Sequence, residues 1–175
     1  MWAQTYLAKT ATVRYSAWNT ATGAYDPATT YGSGQPTVTI WNASHASPVM
    51  SNEASRVATV WHQADLVIYS YGHRKSAAQV TPALDAIDAA VQHQNAQALS
   101  LVMIQNPDPV ATEAQQKTTT AAVASWANAN YLPTVDIYDA FVNDPRSRSQ
   151  LVQADGTPTP AGSALWAQTL NSALG

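Results

Sequence analysis

The chain of 175 residues contains no cysteine, so it can form neither a disulfide framework nor a thiolate metal site, and its redox compartment cannot be read from thiols. Charge is almost as scarce: only 11% of the residues are Asp, Glu, Lys or Arg, and the formal net charge is −3. That balance offers no electrostatic reason to bind nucleic acid or an anionic membrane surface. No apolar run approaches the length of a membrane span, and "MWAQTYLAKT" lacks a basic stretch followed by an apolar core, so neither a span nor a signal peptide is expected. No cluster of His, Asp and Glu has the spacing of metal ligands, and no cofactor is expected. "YGSG" at 31–34 lacks the helix that a phosphate-binding loop requires.

What is present is apolar material, 46% of the residues, enough for a single domain with a real core. Four β-rich runs stand out: "TVTIWN" (37–42), "ADLVIYSY" (64–71), "ALSLVMIQ" (98–105) and "TVDIYDAF" (134–141). The middle two are apolar on both faces, as parallel strands buried between helix layers must be. Between them Val80, Leu84, Ile87 and Val91 repeat at helical spacing, after a Thr81-Pro82 pair suited to a helix start. Further helices are expected near 52–62, 112–129 and 160–174, the last opening at Thr159-Pro160. Strands alternating with helices imply right-handed crossovers and a three-layer α/β/α sandwich with a mostly parallel sheet. Residues 12–36, where Gly, Pro, Asp and Asn punctuate aromatics, read as a hairpin-like excursion or a long surface loop within this one domain.

In an open α/β sheet a ligand sits beyond the carboxyl ends of the strands. The segments placed there are "NASHAS" (42–47), "YGHRKS" (71–76), "QNPDP" (105–109) and the late loop "ADGTPTPAG" (154–162). Their order and spacing, followed by the final helix "AGSALWAQTL", resemble the SGNH or GDSL hydrolases over roughly residues 37–175. The resemblance implies a flavodoxin-like sheet. It also implies a serine nucleophile after the first strand, an oxyanion hole completed by a glycine and by an asparagine in a "GHN"-type turn, and an Asp-x-x-His pair before the last helix.

Each block departs from that pattern. The nucleophile block would precede "MWAQTYLAKT", which resembles the helix that normally follows it, so the chain is expected to start after the serine. In "NASHAS" the glycine position falls on Ser44 or Ala46, and Asn42 is the clearest match. In "YGHR" Gly72 and His73 match the turn, but Arg74 holds the asparagine position. Asp155 matches the aspartate, while the histidine falls on Pro158 or on a one-residue deletion. Asn42, Ser44, His45, Gly72, His73, Arg74 and Asp155 therefore mark a vestigial site. His45 could stand in for the base but is read first as a loop histidine. His73 is read first as a turn residue bonding its own backbone. Ser44 and Ser70 lack a glycine-flanked elbow. His62 and His93 close helices, where an imidazolium suits the dipole. The tryptophans share no face and read as core or interface.

A triad acts as a unit, so losing its serine or histidine removes nearly all of its acceleration. The expected function is a non-catalytic structural or binding module on an SGNH-like scaffold. The alternative is an esterase or deacetylase acting on carbohydrate or lipid esters. Sparse charge and abundant Thr, Ala and Trp fit a phage or virus particle component, such as a capsid-decoration or tail protein on a virion or extracellular surface. Its partners would be other protein subunits, or a glycan, rather than nucleic acid or membrane. Two geometric expectations follow. Arg74 should cover the former oxyanion site and pair with the Asp155 carboxylate, because an unpaired buried charge is costly. "TVTIWN" should pair directly with "ADLVIYSY", ahead of a slot filled by residues 10–18 or by a strand from another chain.

Overall fold

The computed structural model describes residues 2–44, 56, 60 and 63–174. Seven strands and six α-helices are used below: α1 (Trp2–Thr5), β1 (Thr12–Asn19), β2 (Ala24–Tyr25), β3 (Thr29–Tyr31), β4 (Thr37–Asn42), β5 (Leu66–Ser70), α2 (Ala77–Gln94), β6 (Leu99–Ile104), α3 (Glu113–Ala129), β7 (Thr134–Asp136), α4 (Ile137–Val142), α5 (Arg148–Leu151) and α6 (Pro160–Leu174). The helix expected near 52–62 falls almost wholly outside the described residues, as do His45 and His62.

Strand β6 explains why the fold has three layers. Its side chains alternate between faces: Val102 and Ile104 enter one buried cluster with Tyr69, Leu84, Val123 and Trp126, from β5, α2 and α3. Leu101 and Met103 enter a second with Val135, Ile137, Phe141 and Leu170, from β7, α4 and α6. Helices thus cover both faces of the parallel array β5-β6-β7, whose ladders align Ile68 with Leu101 and Met103 with Val135. The first cluster also anchors polar tips. The Trp126 indole donates to Asp85 at 2.7 Å and the Tyr69 phenol to Asp88 at 2.8 Å, both on α2. Burial, reinforced by the Asp88 charge, pushes the Tyr69 phenol far above its ordinary range, so it stays a neutral donor.

Three sequence expectations need correction. Helix α2 starts at Ser76 and not at Thr81-Pro82, because Ser76 and Gln79 form a reciprocal capping box one turn earlier and Pro82 is tolerated inside the helix. "TVDIYDAF" is strand only through Asp136, whose carboxylate accepts the Asp139 amide at 2.8 Å and starts α4. "TVTIWN" does not pair with "ADLVIYSY" among the described residues: β4 lies parallel to β1, from Thr12 beside Thr37 to Ala17 beside Asn42. β1 also turns back antiparallel on β2 and β3, so the 12–36 excursion is hairpin-like, as its turn residues imply, but its first arm is a sheet partner of β4. Alternating Val13 and Tyr15 give that arm strand periodicity, and Val13 is fully buried. Among the described residues the ladders fall into two sheets, one holding β1–β4 and the other β5–β7.

Candidate functional site

Three loops converge beyond the carboxyl ends of β5 and β6 and before α6. The first leaves β5 through Gly72, at φ +129, a conformation L side chains rarely adopt. A Cβ there would meet Thr119 and Val123 only at ordinary contact distance, so backbone conformation and not space demands glycine. The His73 amide then donates to Gln105 Oε1 at 2.9 Å, and Gln105 Nε2 donates back to the Ser70 carbonyl at 3.0 Å. The His73 ring, through Nε2, bonds the Asn106 carbonyl. The ring is therefore backbone-bonded, but to the loop after β6 and not to its own turn as expected.

Arg74 adopts φ +56, a left-handed conformation that costs a non-glycine residue about 1–2 kcal/mol. From this turn the guanidinium reaches the late loop, where Nη2 donates to the Asp155 main-chain carbonyl at 2.7 Å. The expected link between these two residues is present, but through the carbonyl and not the carboxylate. The carboxylate is already engaged: Asp155 Oδ1 accepts from the Thr157 amide at 2.9 Å and from the Thr157 hydroxyl at 2.6 Å. Those bonds, aided weakly by Arg74, hold the Asp155 carboxyl below its ordinary range. Because Arg74 is exposed, the burial penalty that would have required a carboxylate partner does not arise.

Asn106 closes the arrangement. It is buried, and Nδ2 donates to the carbonyls of Pro107 and Gly156, each at 3.2 Å, tying the loop after β6 to the Asp155 turn. Asn106→Ala is expected to destabilise the protein by about 1–3 kcal/mol, since two carbonyls lose a buried donor. The Asp155–Thr157 amide resonances should shift with it. An unchanged denaturation midpoint with unmoved resonances would show that the two loops hold without this side chain.

The other described site residues, Asn42 and Ser44, bond elsewhere. Asn42 donates to the Tyr15 hydroxyl at 2.7 Å and accepts from the Ser44 amide at 3.0 Å, so it shapes the turn after β4. No described contact joins Asn42 or Ser44 to the Gly72, Asn106 and Asp155 cluster. Pro158, at the histidine position, forms an isolated β-bridge with Val152. Gln105 and Asn106, which hold the loops together, were legible as part of the strand-end segment "QNPDP" but not as the residues that link the loops.

Beside the cluster opens a cleft of ≈ 660 Å³, running from the Gly72–Ser76 loop along the first turns of α3. Tyr71, Lys75, Ile104, Ala114, Val123 and Tyr138 are among its walls, whereas Asn42, Ser44 and Asp155 are not. No group of described residues could hold a metal ion, and no described helix is long and apolar enough to cross a membrane.

No protein-family model matches the chain, and no curated protein matches it. Solved structures do. A lipase/acylhydrolase from Enterococcus faecalis superimposes with a TM-score of 0.57 at 14% identity, over 78% of this chain and 74% of that one. A carbohydrate esterase of family 3 from Talaromyces cellulolyticus gives 0.58 at 15% identity, over 82% and 74%. A GDSL-like lipase from Bacteroides thetaiotaomicron gives 0.51 at 10% identity, over 78% and 74%. Identities this low speak for the fold alone, and with the alternating strands, the two-faced core and the converging strand-end loops they place this chain on an SGNH/GDSL hydrolase-like fold.

Proposed function

We propose that this domain is a non-catalytic module on an SGNH/GDSL-type scaffold, one that binds at its strand-end loops instead of hydrolysing an ester there. The observation that carries the reading is the state of the Asp155 turn. Its carboxylate is spent on Thr157, its main chain holds Arg74, and Pro158 stands where a base would be required. A serine hydroxyl is a poor nucleophile without a base in hydrogen-bond reach. A long cation has also replaced the neutral amide that would face an oxyanion. A module held among other protein subunits, as in a phage or virus particle, fits the sparse charge, and a glycan is a second class of partner.

The similar solved structures are named as a lipase/acylhydrolase, a carbohydrate esterase and a GDSL-like lipase, which favours a second reading, an esterase of sugar or lipid esters. In that reading His73, the described imidazole within the cluster, would act as base. The two separate in one experiment: hydrolysis of p-nitrophenyl acetate and of acetylated xylo-oligosaccharides, with a fluorophosphonate probe alongside, on this chain and on any longer natural form. Hydrolysis at background and no labelling are expected. Stoichiometric labelling of one serine, or turnover abolished by His73→Ala, would establish the esterase.

A further inference from the structure

We propose that the cleft beside the cluster binds an amphiphile with a carboxylate head, the head at Arg74 and Lys75 and an aliphatic body along Ile104, Ala114 and Val123. The inference rests on the reading of this domain as a binding module. It concerns a space that shares the Gly72–Arg74 turn with the vestigial site but leads away from Asp155, between the start of α2 and the first turns of α3.

The cleft suits a ligand rich in hydroxyls poorly, because several of its polar side chains are already engaged within the protein. Gln105 is bonded at both ends of its amide, to His73 and Ser70. Gln116 is likewise bonded at both ends, to the Asp108 amide at 3.1 Å and the Ala111 carbonyl at 2.8 Å. Thr118, Thr119 and Thr120 donate their hydroxyls to the carbonyls of Ala114, Lys75 and Gln116. A sugar would find few groups to read it, whereas an apolar body needs none and gains by leaving water. Ala111 and Ala114 keep the space open, Ile104 and Val123 form buried walls, and Tyr71 and Tyr138 contribute rings. The volume lies within the range usual for small-molecule sites, about 300–1,000 Å³.

Charge fixes the orientation. Arg74 and Lys75 are consecutive in the lining, with the Lys75 ammonium 5.9 Å from the centroid of the Tyr71 ring. The hydrogen-bond partner of Arg74 is a neutral carbonyl, and the nearby Asp155 carboxylate, bonded to Thr157, acts on it only weakly, so that bond orients the guanidinium and leaves it charged. A planar fork with donors to spare suits a carboxylate. The one carboxylate in the lining, Asp108, belongs to the loop after β6, is buried, and accepts the Val110 amide at 2.9 Å. An anionic head is repelled from that loop and drawn to the Arg74 turn.

The test uses 11-(dansylamino)undecanoic acid as a fluorescent probe and decanoate as competitor. The probe is expected to bind and decanoate to displace it, with 1-decanol about tenfold or more weaker and xylo-oligosaccharides inert. The double substitution Arg74→Gln, Lys75→Gln should weaken probe binding roughly 10- to 100-fold. Ala114→Trp should abolish it by filling the cleft from an exposed helix position, with circular dichroism confirming that the fold is retained. No probe binding by the folded wild-type chain, equal competition by decanol, competition by the oligosaccharide alone, or undiminished binding by Ala114→Trp would each overturn the assignment. A chain that binds the probe and also hydrolyses esters would sink the non-catalytic reading and leave this one standing. A chain inert to both would do the reverse.

Discussion

Replacing Gly162 by alanine is expected to lower the thermal midpoint by about 6–12 °C, the equivalent of roughly 3 kcal/mol at 2–4 °C per kcal/mol for a domain of this size. Gly162 lies in the first turn of α6, where its amide donates to the Thr159 hydroxyl at 3.1 Å. A Cβ at this position would stand 1.9 Å from the Leu151 carbonyl oxygen, 2.9 Å from its carbon and 3.2 Å from the Phe141 ring. The nearest of these atoms is backbone at the end of α5, so no rotamer change can relieve the clash. α6 must move off α5, breaking the Thr159 to Leu151 bond of 2.9 Å and opening the packing of Phe141. Alanine would otherwise gain up to about 1 kcal/mol in helix propensity, so the sign is decided by overpacking, which costs about 1–3 kcal/mol and more when backbone must shift. Thermal melts of the wild type and of Gly162→Ala decide it. A midpoint within about 2 °C of the wild type would mean that α6 does not press on α5 as described. The consequence reaches the site, because the Asp155 turn is the connection between these two helices.

The sheet core and the last helix could be read from the sequence because they rest on local patterns. "ALSLVMIQ" is apolar at consecutive positions, and β6 does feed both clusters. Thr159-Pro160 marks a helix start, and α6 begins at Pro160. The end of β7 was illegible because "TVDIYDAF" keeps its apolar content across a boundary set by a single hydrogen bond from Asp139 to Asp136. Strand pairing was illegible for a different reason. Nothing local tells "TVTIWN" whether its neighbour is "TVRYSAWN" or "LVIYS", because partner choice depends on loop geometry and on burial far along the chain. At the site, the turn glycine and the Arg74 substitution could be seen in "YGHR". That Arg74 would meet a carbonyl and not a carboxylate could not, because Thr157, two residues beyond Asp155, competes locally for the carboxylate.

Burial is the other property that composition hides, and two leucines separate it cleanly. Leu84, on α2, is fully buried among Tyr69, Val80, Val123 and Trp126, whereas Leu99, at the start of β6, is 71% exposed. Leu84→Ala is expected to destabilise the fold by about 2–5 kcal/mol, the sum of the lost transfer free energy and a cavity that α2, α3 and the sheet can only partly close. Leu99→Ala should lie within about 0.5 kcal/mol of the wild type, since little apolar surface changes its contact with water. Urea denaturation of both variants measures the difference, and an unchanged slope with a shifted midpoint would assign it to folded-state stability. Equal midpoints for the two variants would show that α2 does not seal this face of the sheet. The three-layer arrangement would then fail, and with it the wall of the cleft that Val123 shares with the Leu84 cluster.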